Sequence, residues 1–306
     1  MILRVLAGLL ATLLLIAPAA GAADGLDQRI DRGQAVVDGR KVIATGHVDV
    51  GPRFVDGRWT LMIHDDEAKS KPGGRSVWRH AEQTVLRVGD VAIQTVPDDP
   101  AYAFLHAAGR QVYVVPQTQD LKVVWVGWNT QDPDVMERID RGVRLTLTDV
   151  EGPGELVVFL QSGDFAEPQV LWDSTAAARP VWVDVNTHTH ANWVFTEPGV
   201  YLVHVRVDAE LIDGTTVSDT RAMRFAVGRS ASPEKAFSAV DAAAGSGDDS
   251  AAPASPAEPV DDGGGSSALI AVLAVLAVAL TVALAAVLAR GRRTKQRARS
   301  APGAGR

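Results

Sequence analysis

The stretch VWVDVNTHTHANWVFTEPGVYLVHVRV, from Val181 to Val207, alternates polar with apolar or small side chains over its first half. Successive side chains of a β-strand point to opposite faces, so residues two positions apart share a face. The pattern predicts an extended strand over Val181–Trp193 with one polar face, formed by Asp184, Asn186, His188, His190 and Asn192. The residues Glu197-Pro198-Gly199 predict a turn after this strand, and a second β-rich run follows over Val200–Val207.

Short strands separated by turns continue on both sides of this stretch. Turn residues recur about every ten positions, a spacing typical of β-sandwiches, and Asp56-Gly57 between two apolar segments predicts a hairpin. Helix is predicted only at Ala101–Ala107 and Asp134–Ile139. The further predicted strands are Lys41–Val50, Phe54–Val55, Arg58–His64, Gln83–Val88, Val91–Val96, Gln111–Val115, Val123–Trp128, Gly142–Val150, Glu155–Gln161, Val170–Trp172 and Thr216–Val227.

This pattern predicts an all-β fold, an immunoglobulin-like β-sandwich. Residues 24–140 are predicted to form an N-terminal β unit, and residues 141–229 the immunoglobulin-like sandwich. The two segments form either two packed β units or one extended sandwich. The chain has no cysteine, so its stability depends on a hydrophobic core and not on disulfides.

The two ends of the chain indicate an anchored extracellular protein. Residues 1–22 have the early charge Arg4, an apolar stretch and a small-residue exit, which together are typical of a secretory signal peptide. Residues 268–289 are a small and aliphatic run long enough for one transmembrane helix, and the positive-inside rule keeps the basic tail, residues 290–306, in the cytoplasm. Residues 230–267 have the composition of a disordered stalk. We therefore expect a single-pass type I protein of the cell membrane with its β-rich part outside.

The acidic balance of the outer part excludes one class of ligand. Setting aside Arg4 and the seven basic residues after position 289 leaves 22 Lys and Arg against 37 Asp and Glu. An acidic surface repels phosphate backbones, so we expect no nucleic-acid partner.

Two pairs of residues are candidate metal ligands. His188 and His190 lie two apart on a predicted strand, so their rings project from one face at a spacing that can share one ion. His47 and Asp49 form a second such pair. Imidazole is a common ligand of zinc and related metals. We predict that His47, His188 and His190 bind zinc or manganese, with Asp49 or Asn192 as an outer group or a weaker fourth ligand. The alternative is a polar strand face without a metal.

Other polar residues carry no comparable pattern. The acidic run Asp65-Asp66-Glu67 lacks the ligand spacing of a calcium loop and is expected to be solvated. The chain has no Gly-x-Ser-x-Gly, no His-Glu-x-x-His and no phosphate-binding glycine loop, so we expect no enzymatic activity. A metallohydrolase built from scattered ligands, which needs no such motif, is the alternative. The histidines without a spaced neighbour are expected at the surface or the edge of the core, namely His64, His80, His106 and His204.

Four segments of the chain carry a family resemblance. They are Gly46–Asp49, Val124–Thr130, the turn Gly152–Gly154, and the stretch His188–Tyr201 with its His-x-His-x-Asn-Trp and Pro-Gly-x-Tyr motifs. Together they resemble the actinobacterial surface-anchored protein domain, also called the choice-of-anchor M family, an ABC transporter-associated repeat domain. The Pro-Gly-x-Tyr segment also resembles the corner of immunoglobulin-like sandwiches, in which a tyrosine hydroxyl anchors the preceding turn.

The resemblance implies a role at the cell surface and no defined reaction. Related domains occur within or beside substrate-binding proteins of metal-uptake ABC transporters, and the resemblance therefore implies such a partner. We expect a membrane-anchored, non-enzymatic extracellular binding protein that serves zinc or manganese acquisition. The alternative is a structural or adhesive surface module whose histidines have no metal role.

Overall fold

The computed structural model describes residues 30–70, 74–162 and 167–239, and in them the chain consists mainly of β-strands. The strands are β1 (Lys41–Ile43), β2 (Gly46–Val55), β3 (Arg58–Asp65), β4 (Val77–His80), β5 (Thr84–Val88), β6 (Ile93–Thr95), β7 (Gln111–Val115), β8 (Val124–Asn129), β9 (Ile139–Glu151), β10 (Leu156–Leu160), β11 (Gln169–Asp173), β12 (Pro180–Asp184), β13 (His188–His190), β14 (Asn192–Phe195), β15 (Gly199–Leu211) and β16 (Thr216–Val227). The α-helices among these residues are short, α1 (Pro133–Arg138) and α2 (Pro233–Ser238). Short 3-10 helices lie at Glu67–Ser70, Ala81–Gln83, Asp90–Ala92 and Pro100–Leu105.

The described strands form three sheets. Sheet I has the order β1-β5-β16-β15-β9-β12, sheet II the order β11-β10-β14-β7-β6, and sheet III the order β13-β8-β2-β3-β4. One hydrophobic core joins them, and its buried side chains include Leu147 and Val203 from sheet I, Leu156 from sheet II, and Val50 and Val126 from sheet III. The prediction of an all-β sandwich is therefore confirmed.

The hairpin predicted at Asp56-Gly57 is present. Strands β2 and β3 are antiparallel, and Val55 pairs with Arg58, so two residues form the loop. Asp56 and Gly57 have φ angles of 50° and 80°, the left-handed conformation that a two-residue type I′ turn requires and that an Asp-Gly pair adopts readily. The length of this turn sets the register of β2 against β3, and with it the face on which each β2 side chain lies.

The prediction of one strand over Val181–Trp193 is wrong. The chain forms three short strands there, β12, β13 and β14, and each lies in a different sheet. A turn separates β12 from β13, where Asn186 has a φ angle of 60° and the buried Thr130 hydroxyl bonds the backbone on both sides. Ala191 alone separates β13 from β14. Alternation predicts the two faces of a strand but not the sheet to which it belongs, so the polar residues of this stretch do not share one face.

Tyr201 makes the hydrogen bond expected of an immunoglobulin-like corner. Its side chain is fully buried against Phe195, and its hydroxyl donates to the carbonyl oxygen of Glu197 at 2.6 Å. Burial raises the pKa of the Tyr201 hydroxyl to about 12, so the group keeps its proton at neutral pH. Gly152 leaves the space for this ring, since a Cβ there would lie 2.2 Å from Cδ1 of Tyr201.

Replacing Tyr201 with Phe is expected to lower the free energy of unfolding by about 1 kcal/mol, the usual net contribution of one hydrogen bond. The ring keeps its packing, so the change isolates the hydroxyl. Tyr102→Phe is the matched control because the Tyr102 hydroxyl bonds Gln161 at the exposed surface. Urea unfolding of the full-length protein measures both variants. Equal stabilities of the two would contradict an anchoring role for Tyr201.

Helix α2 covers part of the outer face of sheet I, although the sequence predicts a stalk from residue 230. Ala236 is fully buried, and the Arg224 guanidinium on β16 donates to the carbonyl oxygens of Ala236 and Ala239 at 2.8 and 2.9 Å. These bonds satisfy carbonyl groups at the end of α2, which have no partner within the helix. The composition of the segment predicts a stalk, but α2 belongs to the folded part of the chain.

The other terminal predictions, residues 1–22, 240–267, 268–289 and 290–306, lie outside the described residues. No helix in the described part of the chain is long and apolar enough to cross a membrane. Strand β9 runs across residue 140, where the sequence predicts the border between two β units, and all three sheets take strands from both sides of that position. The strands of the two segments are thus interleaved.

Candidate metal centre

Three neighbouring strands of sheet III bring the predicted histidines together. Strand β8 lies between β2 and β13, and its Gly127 pairs with Asp49 of β2 on one side and with His190 of β13 on the other. His47 and His188 lie two residues away from these partners, on the same face. The neighbouring β2 residues of the opposite face are buried in the core. The cluster of His47, Asp49, His188 and His190 therefore lies on the outer face of sheet III.

The four side chains direct one donor atom each toward a common point. The Nε2 atoms of His47, His188 and His190 form a triangle with sides of 2.9, 3.0 and 3.1 Å. Oδ1 of Asp49 lies 3.5, 3.3 and 3.7 Å from the Nε2 atoms of His47, His188 and His190. A tetrahedral zinc ion with ligands at about 2.0–2.1 Å needs ligand atoms about 3.3–3.4 Å apart. The three N–N distances are somewhat shorter than this value and the O–N distances are close to it or longer, an approximately tetrahedral set that can hold a metal ion.

The chemistry of these donors favours a cation over mutual hydrogen bonding. A neutral imidazole carries one ring proton, so three converging Nε2 atoms bring lone pairs or protons against one another. Oδ1 of Asp49 is buried and has no hydrogen bond of normal geometry. A buried carboxylate oxygen without a partner is costly. A divalent cation at the centre satisfies all four atoms at once.

Gly127 provides the space in which the ligands meet. A Cβ at this position would lie 2.6 Å from Oδ1 of Asp49 and 2.8 Å from Cε1 of His190. Any other residue type would therefore displace two of the four donors. A glycine inside a strand often marks a close approach of this kind, so the glycine in Val126-Gly127-Trp128 is a signal in the sequence for this site.

The cluster is accessible to solvent from one side. The Asp49 side chain is fully buried and that of His190 is 7% exposed, whereas those of His47 and His188 are 14% and 15% exposed. Burial alone would raise the pKa of Asp49, but the three histidines outweigh it and lower the pKa, so the carboxyl is ionised. Burial lowers the pKa of His190 to about 3. Its ring is therefore neutral at pH 7, as metal binding requires.

Asp66 orients His47 from the side away from the cluster. Its Oδ2 lies 2.8 Å from Nδ1 of His47, which donates its proton and leaves Nε2 free to bind a metal. The Ser76 hydroxyl donates to Oδ1 of Asp66, and Nζ of Lys69 lies 3.1 Å from it. Burial would raise the pKa of Asp66, but His47 and these neighbours hold it far below its usual value. The expectation of a solvated acid is wrong here, because the Asp66 side chain is only 8% exposed.

Trp125 packs against two of the candidate ligands. Its ring stacks on that of His190, with centroids 3.6 Å apart and planes 10° apart, and its centroid lies 5.0 Å from that of His47. The indole N–H donates to the backbone carbonyl oxygen of Gln117 at 2.9 Å. Trp125 is thereby fixed, and it restricts rotation of the His190 ring.

Asn192 does not join the cluster. The chain passes from sheet III to sheet II at Ala191, and Oδ1 of Asn192 accepts from the backbone N–H of Gln117 at 2.9 Å. Asp49 is predicted to be an outer group or a weaker fourth ligand, but its Oδ1 lies 3.3–3.7 Å from the three Nε2 atoms and points to the same centre. The predicted residues that the structure brings together are His47, Asp49, His188 and His190.

His64 is a buried member of the same neighbourhood, where the sequence predicts a residue at the surface or core edge. Its ring is fully buried and packs against Trp78, with ring centroids 4.8 Å apart and planes tilted by 59°, and its Nε2 donates to Oε1 of Gln34 at 2.8 Å. Its Nδ1 lies 3.8 Å from Oδ1 of Asp66. Burial lowers the pKa of His64, so its ring is neutral at pH 7 and its one proton is the one donated to Gln34.

Replacing Asp66 with Asn is expected to weaken zinc binding about 10- to 100-fold, the usual effect of removing a group that orients a ligand. The amide oxygen can still accept from Nδ1–H of His47 but lacks the negative charge that strengthens the imidazole as a ligand. Titration calorimetry of the full-length protein with Zn²⁺ measures the change. Asp98→Asn, at an exposed position, is the control and should bind like the wild type. An unchanged affinity in the Asp66 variant would exclude the orienting role.

Zinc affinity is expected to fall as the pH drops through the range in which histidine side chains take up a proton. Burial acts to lower the pKa of His47, but its hydrogen bond to Asp66 and the charges of Asp49 and Asp66 outweigh burial and raise it. Below that pKa zinc must displace a proton, so affinity should fall by about tenfold per pH unit. Calorimetry from about pH 5.5 to 8 measures the dependence. An affinity that does not change over this range would contradict proton displacement.

Comparisons with known proteins do not identify the chain further. No protein-family model, no curated protein and no solved structure matches it. The fold and the cluster therefore define the class on their own: an all-β sandwich protein with three histidines and one aspartate that can hold a metal ion.

Proposed function

We propose that this chain is a membrane-anchored extracellular protein that captures zinc for a metal-uptake ABC transporter. The observation that carries the proposal is the near-tetrahedral arrangement of Nε2 of His47, His188 and His190 with Oδ1 of Asp49. Residues 1–22 and 268–289, by their composition, support a place outside the cell and attached to its membrane. The resemblance to the surface-anchored domain supports a transporter substrate-binding protein as the partner.

Zinc is preferred to manganese because of the ligands. Imidazole suits zinc, whereas carboxylate, carbonyl and water oxygens suit manganese. Three of the four donors are imidazole nitrogens, and they converge closely enough to bind one ion. Manganese commonly takes more ligands, mostly oxygens, than this cluster offers.

We also propose that the cluster binds metal without catalysing a reaction. Catalytic zinc sites keep three protein ligands and leave the fourth position to water or substrate, whereas closed sites fill all four positions with protein. Asp49 Oδ1 takes the fourth position here. A hydrolase would need that position open.

Titration calorimetry with Zn²⁺ tests the site directly. The wild-type full-length protein is expected to bind one zinc ion per chain, and His188→Ala and His190→Ala are expected to lose this binding. His106→Ala is the matched control because its ring is 48% exposed and lies outside the cluster. Equal binding by all four proteins, or binding by none, would mean that the paired histidines form only a polar strand face.

The second candidate is a structural or adhesive surface module in which zinc only stabilises the fold. The four-ligand arrangement supports it, because structural zinc sites have no open position. Zinc release distinguishes the candidates: a capturing protein should give up its zinc to a chelator while it stays folded, whereas a structural zinc should leave only on unfolding. A neighbouring gene set for a zinc ABC transporter would favour capture.

We retain the immunoglobulin-like sandwich as the finer description of the fold. The Tyr201 hydroxyl bonded to the carbonyl oxygen of Glu197 supports it, because this corner is typical of such sandwiches. Circular dichroism of the full-length protein should show strand as the main component, with any helix contributed mostly by the predicted residues 268–289.

A further inference from the structure

We infer that Asp149, Glu151 and His204 form a second divalent-metal site, on the outer face of sheet I. Each residue offers one donor atom, and the three atoms lie within 4.8 Å of one another. Nε2 of His204 is 3.0 Å from Oε1 of Glu151. The two carboxylates come from β9 and the imidazole from β15, its neighbour in the sheet. This inference does not depend on zinc binding at sheet III.

A β-bulge places the two carboxylates on this face. Along the β9–β15 pair, Leu147 lies opposite Val205 and Asp149 lies opposite His204, so Thr148 is an extra residue. Leu147 is buried in the core, while Thr148 and Asp149, next to each other, are both exposed. Without the extra residue, strict alternation would turn Asp149 and Glu151 toward the core.

The side chain of the bulge residue, Thr148, stabilises the bulge by a hydrogen bond. The Thr148 hydroxyl donates to the backbone carbonyl oxygen of His204 at 3.2 Å, so the irregular residue is tied to the histidine strand. Bulges that redirect side chains are over-represented next to functional sites. Here the redirection brings two acids to one imidazole.

The charges of the cluster suit a cation. Glu151 has His204 as its ion-pair partner, and neither Asp149 nor Glu151 pairs with a lysine or arginine in the described part of the chain. The two carboxylates lie close together beside the imidazole, and a cation between them would offset the repulsion of their like charges. A divalent ion neutralises both.

The donor atoms indicate a solvent-accessible site for an ion that prefers oxygen ligands. His204 is buried, but the Glu151 side chain is 33% exposed and Asp149 is exposed, so water can fill the remaining positions. Carboxylates and water suit manganese, which accepts an imidazole as well. The site is therefore expected to bind Mn²⁺ more weakly, and to exchange it faster, than the sheet III cluster binds zinc.

Electron paramagnetic resonance of added Mn²⁺ tests this inference, because the signal of free aqueous Mn²⁺ weakens when the ion binds. The full-length protein is first given one equivalent of Zn²⁺ to occupy the sheet III cluster and is then titrated with Mn²⁺. One Mn²⁺ per chain is expected to bind. Asp149→Asn and Glu151→Gln keep the shape of the side chains, and each is expected to lose this binding. Glu210→Gln removes one exposed charge elsewhere on β15 and is expected to retain it.

The outcomes separate this site from the sheet III cluster. Retention of Mn²⁺ binding in His188→Ala, which lacks a ligand of that cluster, would support an independent second site even if zinc capture is wrong. Absence of Mn²⁺ binding in the wild type would show that Glu151 and His204 form only a hydrogen-bonded pair. Equal binding in Glu151→Gln and Glu210→Gln would show diffuse attraction to an acidic surface. Either of these last two results would overturn the inference.

Discussion

Zinc is expected to raise the melting temperature of the full-length protein by about 5–10 °C when it is present at about a hundredfold excess over its dissociation constant. An ion that binds only the folded chain stabilises it by RT ln(1 + [L]/Kd), which is about 2.7 kcal/mol at that excess. About 1 kcal/mol shifts the melting temperature of a domain of this size by about 2–4 °C. The unfolded chain does not hold the four donors together, because they lie on β2 and β13, far apart in sequence. Differential scanning calorimetry with and without Zn²⁺ measures the shift.

The His188→Ala variant is the control for this effect. The His188 side chain is 15% exposed, and any cost of its truncation affects the measurements with and without Zn²⁺ equally, so their difference reports the lost ligand. The variant is expected to melt at one temperature whether Zn²⁺ or a chelator is present. A zinc-dependent shift of the same size in wild type and variant would place the stabilising ion elsewhere. No shift in the wild type would contradict zinc binding by the sheet III cluster and, with it, the proposed function.

The position of the zinc site predicts which strand opens first when zinc is removed. Strand β13 has three residues and lies at the edge of sheet III, paired with β8 alone. A metal bound by His188, His190 and the two β2 ligands would join β13 to β2 across β8. Without metal, β13 has few contacts that resist local opening. Hydrogen exchange should therefore be fastest, after chelation, at the amides of β13 and the turn before it.

The alternation of side chains along a strand predicts the two ligand pairs. It does not predict that the two pairs lie next to each other in the sheet. His188 with His190, and His47 with Asp49, each lie on one strand, and their shared faces follow from the geometry of the strand itself. The hairpin at Asp56-Gly57 was also predictable, because few residues adopt its two left-handed conformations. The ligand pairs and the hairpin depend only on residues close together in the sequence, so they can be predicted from it.

The parts that were missed depend on which strands become neighbours in space. Asn192 was expected beside the histidines, but the chain changes sheets at Ala191 and its side chain faces Gln117 instead. Asp66 was expected to be solvated, and its role depends on a contact with His47 across 19 residues of sequence. The bulge at Thr148 changes the face on which Asp149 lies, which strict alternation does not anticipate. Strand pairing and bulges arise from the packing of the whole core.

Replacing Gly127 with Ala is expected to disrupt the metal site and to destabilise the fold together. The added Cβ would lie 2.6 Å from Oδ1 of Asp49, 2.8 Å from Cε1 of His190 and 2.6 Å from the carbonyl oxygen of Thr189. The third contact is with backbone, which yields less readily than a side chain. Overpacking of this kind costs about 1–3 kcal/mol. Because two of the four ligands must move, zinc affinity is expected to fall by more than about tenfold. Urea unfolding and calorimetry with Zn²⁺ measure the two effects.

Gly89→Ala is the matched control, because a Cβ at Gly89 has no neighbour within 4 Å and the residue has a φ angle of −77°. A surface change of this kind is expected to alter the free energy of unfolding by less than about 0.5 kcal/mol and to leave zinc binding unchanged. The affinity of Gly127→Ala is measured at a temperature where circular dichroism shows it folded, so that a lower affinity reports the displaced ligands and not unfolding. Wild-type zinc affinity in a folded Gly127→Ala protein would mean that the ion is not held between Asp49 and His190.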